Sequence, residues 1–190
     1  MNAEKEPLHL DSMLCFAVYA AGHAFTRFYK PRLEALDQAK DVPPAQKALQ
    51  RAMILDSGGE VYKAQAAEAY AALAKDFAED SMVIESLFIK ALREKKLADA
   101  KAWSDKAIAR NLDTYDGVTF KARLMAAEGN RRGAIGLLEG GMTKYNYNVE
   151  AWRVLSGMQV EEGRTSDAVT NMKKALDLRP DDATSILQYS

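Results

Sequence analysis

The sequence predicts an all-α protein, a solenoid of stacked helical hairpins with one extra helix at its N-terminus. Alanine, leucine, lysine and glutamate dominate the chain while β-branched residues are sparse, and this composition favours helix. Small residues recur with a period of about 34 residues, which is the sign of a repeat architecture. Turns that contain glycine separate the periodic stretches. One hairpin cannot bury its apolar face alone, so neighbouring hairpins must stack to form a continuous core.

The first element is a predicted amphipathic helix over residues 11–36. Apolar residues recur there at intervals of three and four, and Asp11 or Ser12 can cap its start. Pro31 either kinks this helix or begins a second short helix over residues 31–37. On packing grounds alone, the helix would cover the exposed apolar face of the first repeat.

The repeats begin after residue 43. Steps of 34 residues lead from Ala168 to Ala134, Ala100 and Ala66. Alanine at such a position lets two helices approach closely. These steps predict four repeats and the start of a final helix: residues 47–80, 81–114, 115–148 and 149–182, then residue 183 onwards. We therefore divide the chain into an N-terminal element, residues 1–42, and a repeat array, residues 43–190.

The last predicted repeat resembles a tetratricopeptide (TPR) repeat. Its segment VEAWRVLSGMQVEEGRTSDAVTNMKKALDLRPDD carries the aromatic, leucine, small-residue and proline positions of that pattern. The matching residues are Trp152, Leu155, Ser156, Ala168, Ala175 and Pro180. Gln159 and Met172 replace a tyrosine and a phenylalanine that the pattern usually has. The resemblance implies a right-handed solenoid, and an ordinary helical bundle is the alternative.

A TPR-like array implies a binding surface. The resemblance brings no catalytic residue with it. In that family the first helix of each repeat lines a concave groove, whose natural ligand is a peptide or a helix. The predicted lining residues are Glu85, Ile89, Leu92, Thr119, Arg123, Ala126, Arg153, Gly157 and Val160. We therefore expect a non-catalytic scaffold or adaptor that binds a protein partner. Self-association through the same surface is the alternative.

The opening helix resembles a different family. The stretch LDSMLCFAVYAAGHAFTRFYKPRLEAL is similar to the first helix of MarR-family organic-hydroperoxide-sensing repressors, mainly in its Leu-Cys-Phe and Thr-Arg-x-Tyr-x-Pro segments. The resemblance implies a homodimer built through this helix, with Cys15 as the peroxide-sensing thiol and Tyr29 as its hydrogen-bonding partner. The winged helix that reads DNA in that family has no counterpart in this sequence. A redox-responsive regulatory module is the alternative function, and a buried structural cysteine is the alternative role of Cys15.

The remaining composition argues against several function classes. A net charge of −1 gives the chain no electrostatic reason to bind nucleic acid. The longest apolar run, residues 13–21, is about half of a membrane span, and the polar N-terminus is unlike a secretory signal. One cysteine and two histidines predict neither a disulfide framework nor a zinc site. We therefore expect a cytoplasmic protein that is not an enzyme, with no metal, no cofactor, no nucleic-acid partner and no membrane contact.

Overall fold

The computed structural model describes residues 27–28, 30–110, 115–146 and 148–181. Within these ranges the chain forms nine α-helices and one short 3-10 helix, and it forms no strand. The helices are α1 (Lys30–Gln38), α2 (Pro44–Ser57), α3 (Lys63–Asp76), α4 (Ser81–Arg93), α5 (Leu97–Arg110), α6 (Tyr115–Ala127), α7 (Arg131–Tyr145), α8 (Val149–Glu161) and α9 (Thr165–Leu178). The 3-10 helix, Gly59–Tyr62, joins α2 to α3.

The chain divides between Val83 and Ile84, in the first turn of α4, into two compact units. In the first unit, α1, α2 and α3 pack around the buried side chains of Leu55 and Ala66. Arg51 of α2 adds an ion pair to a carboxylate of α1, with 3.0 Å between nitrogen and oxygen. The first unit is therefore held together mainly by apolar contacts, since an exposed ion pair of this kind contributes little.

The second unit contains three helical hairpins, α4–α5, α6–α7 and α8–α9. Equivalent helices begin at equal intervals along the chain, the first helices at Ser81, Tyr115 and Val149 and the second helices at Leu97, Arg131 and Thr165. Such a regular interval belongs to a repeat array and is not expected of an ordinary bundle.

Each hairpin of the second unit turns at a residue in the left-handed backbone conformation. Lys95, Gly129 and Gly163 occupy equivalent positions, with φ angles of 57°, 93° and 76°. The Gly129 amide donates to the Ala126 carbonyl at 3.0 Å, and the next amide donates to the Met125 carbonyl at 2.8 Å. The other two turns form the same pair of bonds, so all three end the first helix in a Schellman motif.

The core of the second unit forms where small residues let the helices approach one another. Ala100, Ala134 and Ala168 on the second helices are almost fully buried. Phe88 of α4 and Phe120 of α6 fill the core between the first two hairpins, with ring centroids 4.6 Å apart. Burying each of these rings stabilises the fold by roughly 1.5–3 kcal/mol. A second cluster of apolar side chains from α6, α7, α8 and α9 continues the core to the last hairpin.

The predicted fold class is confirmed, because the described residues form an all-α, TPR-like array of helical hairpins. Helix α1 contains Pro31. Residues 1–26, which hold most of the predicted opening helix, lie outside the described residues, as do residues 182–190 with the predicted final helix. The division of the chain at residue 43 stays a prediction.

Candidate functional site

All nine residues that we expect to line a groove lie on the first helices of the second unit. They occupy three equivalent positions on each of α4, α6 and α8, spaced one repeat apart along the chain. We call this set the first-helix face: Glu85, Ile89, Leu92, Thr119, Arg123, Ala126, Arg153, Gly157 and Val160. Helix α6 packs against α4 through Phe120 and contacts α8 directly, so the three first helices are neighbours.

Two arginines of the first-helix face share one carboxylate. Glu150 of α8 accepts a hydrogen bond from Nη1 of Arg153 at 2.8 Å, and its other oxygen accepts one from Nη2 of Arg123 on α6. The arginine side chains are only 21% and 23% exposed, so salt screens these ion pairs less than fully exposed ones. The buried Nε of Arg153 has no hydrogen-bond partner within the described ranges. Two guanidinium groups share one carboxylate, so Glu150 balances only one of their two positive charges.

Apolar side chains flank this arginine cluster. Ile89 on α4 is 39% exposed, and Val160 on α8 is 57% exposed. Glu85 is exposed and Gly157 is half-buried beside them on the same helices. The combination of open apolar area and a partly desolvated charged centre is typical of surfaces that bind other proteins.

The other three members of the first-helix face belong to the core. Thr119 is 5% exposed, while Leu92 and Ala126 are half-buried and pack against the two apolar clusters. These side chains support α4 and α6 from within, because the first helices must also bury one side against their own hairpins. The accessible part of the face therefore consists of the remaining six residues.

The structure also shows a polar cleft of about 290 Å³ among α7, α8 and α9 that sequence analysis missed. Gln159, buried on α8, donates to Glu139 of α7 at 3.2 Å and accepts a bond from Asn171 of α9 at 3.0 Å. Arg164 donates to the same Glu139 oxygen at 2.7 Å, and its hydrogen bonds to Asp167 and Glu139 raise the pKa of the guanidinium. The one sequence signal was Gln159 itself, a polar residue where the repeat pattern has an aromatic one. Its bonds to two other helices join all three through a buried amide.

Trp152 also lines this polar cleft. Its Nε1 donates to the carbonyl of Asn146 at 2.8 Å, and Nζ of Lys174 lies 4.4 Å from the ring centroid. The indole therefore has a partner for its N–H and a cation over its face, while its ring packs in the apolar cluster. These contacts make Trp152 an anchor between α7, α8 and α9.

Cys15 and Tyr29, the residues of the predicted redox site, lie outside the described residues. Within the described ranges, no three or more histidine, cysteine, aspartate or glutamate side chains are grouped so that they could hold a metal ion. None of the helices that the structure describes combines the length and the apolar character needed to cross a bilayer.

The hairpin array and its first-helix face define a helical-repeat protein of the TPR-like class. No family model matches the sequence, and no curated protein matches it significantly, so the MarR resemblance gains no support. Similar solved structures include "MamA RS-1 ArsTM double mutant", with 13% identity and a TM-score of 0.49, covering 87% of this chain and 94% of that one. Another is "MamA MSR-1 C2", with 17% identity and a TM-score of 0.45, covering 90% of this chain and 98% of that one. Similarity at this level identifies no family and indicates no function.

Proposed function

We propose that this chain is a non-catalytic scaffold that binds a peptide or helical segment of a protein partner on the first-helix face. The observation that carries this proposal is the cluster of Arg123, Glu150 and Arg153, flanked by the exposed side chains of Ile89 and Val160. A partner segment that covers the flanking side chains gains roughly 25 cal/mol for each Å² of apolar surface buried. Its carbonyl or carboxylate oxygens accept hydrogen bonds from the arginines, and these charge-assisted bonds orient it along the face.

Three further expectations stay predictions. They are a homodimer formed through the N-terminal helix, a cytoplasmic location, and peroxide sensing by Cys15 with Tyr29.

The proposed binding face is tested with the full-length chain as bait in an affinity capture. Ile89→Asp and Val160→Asp each place a charge at an exposed position, so the hairpins should remain folded, which circular dichroism checks. Val61→Asp is the matched control, since Val61 is 52% exposed and belongs to the first unit rather than to this face. We expect a partner that the wild-type and Val61→Asp baits capture and that both face variants lose.

A partner that both face variants retain would contradict the proposed face. Light scattering on the wild type and the three variants tests the alternative function, self-association. A doubled mass that Ile89→Asp and Val160→Asp reduce to that of a monomer would mean that the face binds a second copy of this chain.

A further inference from the structure

The arginine pair on the first-helix face has hydrogen-bonding capacity that the chain leaves unused. Arg123 and Arg153 each donate one hydrogen bond, both to Glu150, and neither has a further polar partner within the described residues. A guanidinium has five N–H donors. Among the nitrogens of the pair that have no partner, only Nε of Arg153 is buried, so the others are open to solvent. A ligand can therefore reach both guanidinium groups while Glu150 still holds them in place.

The charge of this cluster favours an acidic ligand. Glu150 balances one of the two arginine charges, so a single added carboxylate makes the cluster of four groups neutral. A phosphoryl group carries about −1.5 to −2 at neutral pH and would leave an excess of negative charge. A backbone carbonyl brings no charge, and its hydrogen bonds are roughly half as strong as charge-assisted ones. A carboxylate therefore fits the cluster best.

The surroundings of the arginine pair indicate what lies next to that carboxylate. Exposed Ile89 has on α4 the position that Arg123 has on α6. Exposed Val160 lies two turns after Arg153 on α8, about 10 Å along the helix, and packed helices are likewise about 8–10 Å apart. A Cβ atom at Gly157, between Arg153 and Val160, would meet no other atom within 4 Å, so a partner backbone has room to approach α8 there.

We propose, building on the function proposed above, that the bound segment presents an aspartate or glutamate side chain to Arg123 and Arg153. An extended chain advances about 3.3 Å per residue, so a distance of about 10 Å corresponds to about three residues. The segment therefore carries large apolar residues about three positions before and after its acidic residue, and these cover Ile89 and Val160. The carboxylate belongs to a side chain within the segment, so recognition does not depend on a free C-terminus.

A random peptide library displayed on phage tests the inference, with the full-length chain as the target. We expect the selected peptides to share an aspartate or glutamate with apolar residues about three positions to either side. One selected peptide is then synthesised with an amidated C-terminus, and fluorescence anisotropy measures its dissociation constant. Replacing its acidic residue by the corresponding amide should raise that constant roughly ten- to a hundredfold, because the replacement removes charge-assisted hydrogen bonds.

Variants of the protein locate the effect of the peptide replacement. In the double variant Arg123→Gln, Arg153→Gln that replacement should change the dissociation constant less than about twofold, since the interaction is already lost. Arg132→Gln is the matched control, because it removes an arginine charge from a 92% exposed side chain of α7 and should leave the full effect. Circular dichroism checks that each variant is folded. The peptide replacement itself needs no change in the protein, so its result stands even where a variant is unstable.

The outcomes separate this inference from the proposed function on which it rests. Selected peptides without an acidic residue, or an effect of the peptide replacement that the arginine double variant retains, would overturn the inference. If Val160→Asp still abolished the binding of such peptides, the first-helix face would remain the binding surface. Peptides that bind Ile89→Asp and Val160→Asp as tightly as the wild type would contradict the face itself. A selection that enriches no peptide would overturn both.

Discussion

The three left-handed turn positions of the second unit predict opposite effects for opposite substitutions. Lys95 has a side chain where Gly129 and Gly163 have none, although all three share a positive φ. A side chain in this conformation costs about 1–2 kcal/mol, and the greater freedom of glycine in the unfolded chain offsets roughly 0.5–1 kcal/mol of that. We therefore expect Lys95→Gly to raise the free energy of unfolding by about 0.5–1 kcal/mol. Gly129→Ala should lower it by a similar amount.

The substitution of Gly129 isolates the backbone effect, and the same hairpin offers a matched control. A Cβ atom added at Gly129 would meet no other atom within 4 Å, so steric conflict with neighbours plays no part. The same is true at Gly136, which lies inside helix α7. There alanine only improves helix propensity, so Gly136→Ala should stabilise the protein by about 1 kcal/mol.

Urea unfolding followed by circular dichroism at the helix band measures these differences as shifts of the midpoint at constant slope. Midpoints that move in the same direction for Gly129→Ala and Gly136→Ala would refute the reasoning. A lower midpoint for Lys95→Gly would refute it as well, since the conformation of the turn would then not decide the cost.

Two further predictions concern a buried hydroxyl and a carboxylate. The Oγ of Ser104 is buried and has no hydrogen-bond partner in the described part of the chain. Ser104→Ala should therefore keep or raise the thermal midpoint of unfolding, and a decrease in the free energy of unfolding of more than about 1 kcal/mol would contradict this. Hydrogen bonds from Lys90 and Lys96 lower the pKa of Glu94 from 4.5 to about 2. Because the folded-state pKa is the lower one, the ion pairs contribute fully above the unfolded value and lose their effect as pH falls towards 2. The free energy of unfolding of Glu94→Gln should thus be lower than that of wild type by about 1 kcal/mol at pH 6, and the difference should shrink as pH falls from 4.5 through 2. A difference that stays constant over this pH range would oppose this assignment.

The candidate site could be predicted only in part from the sequence. Arg123 and Arg153 lie on one face because the repeat period places them there, but the sequence did not indicate that Glu150 joins them. Thr119 has the period of a groove residue and is nevertheless buried, since α6 is packed between its own hairpin partner and the neighbouring first helices. The sequence shows that Gln159 departs from the repeat pattern, but it does not show that the hydrogen-bond partners of Gln159 lie on two other helices. Such partners depend on distances between helices, which local sequence does not encode.

The sequence by itself determined the helical class, the repeat interval and the turns at Gly129 and Gly163 in the second unit, but not the equivalent turn at Lys95. Helix propensity, apolar periodicity and glycine at a left-handed position act within one or two turns of the chain, so they can be recognised locally. Only the tertiary structure decided which equivalent positions are covered and which are open. Ile135 and Val169 occupy the same repeat position, but α8 packs over the first while the second is 45% exposed. The exposure of a side chain depends on whether a neighbouring hairpin packs over it. Equivalent residues are therefore part of the core in one repeat and of the open surface in the next.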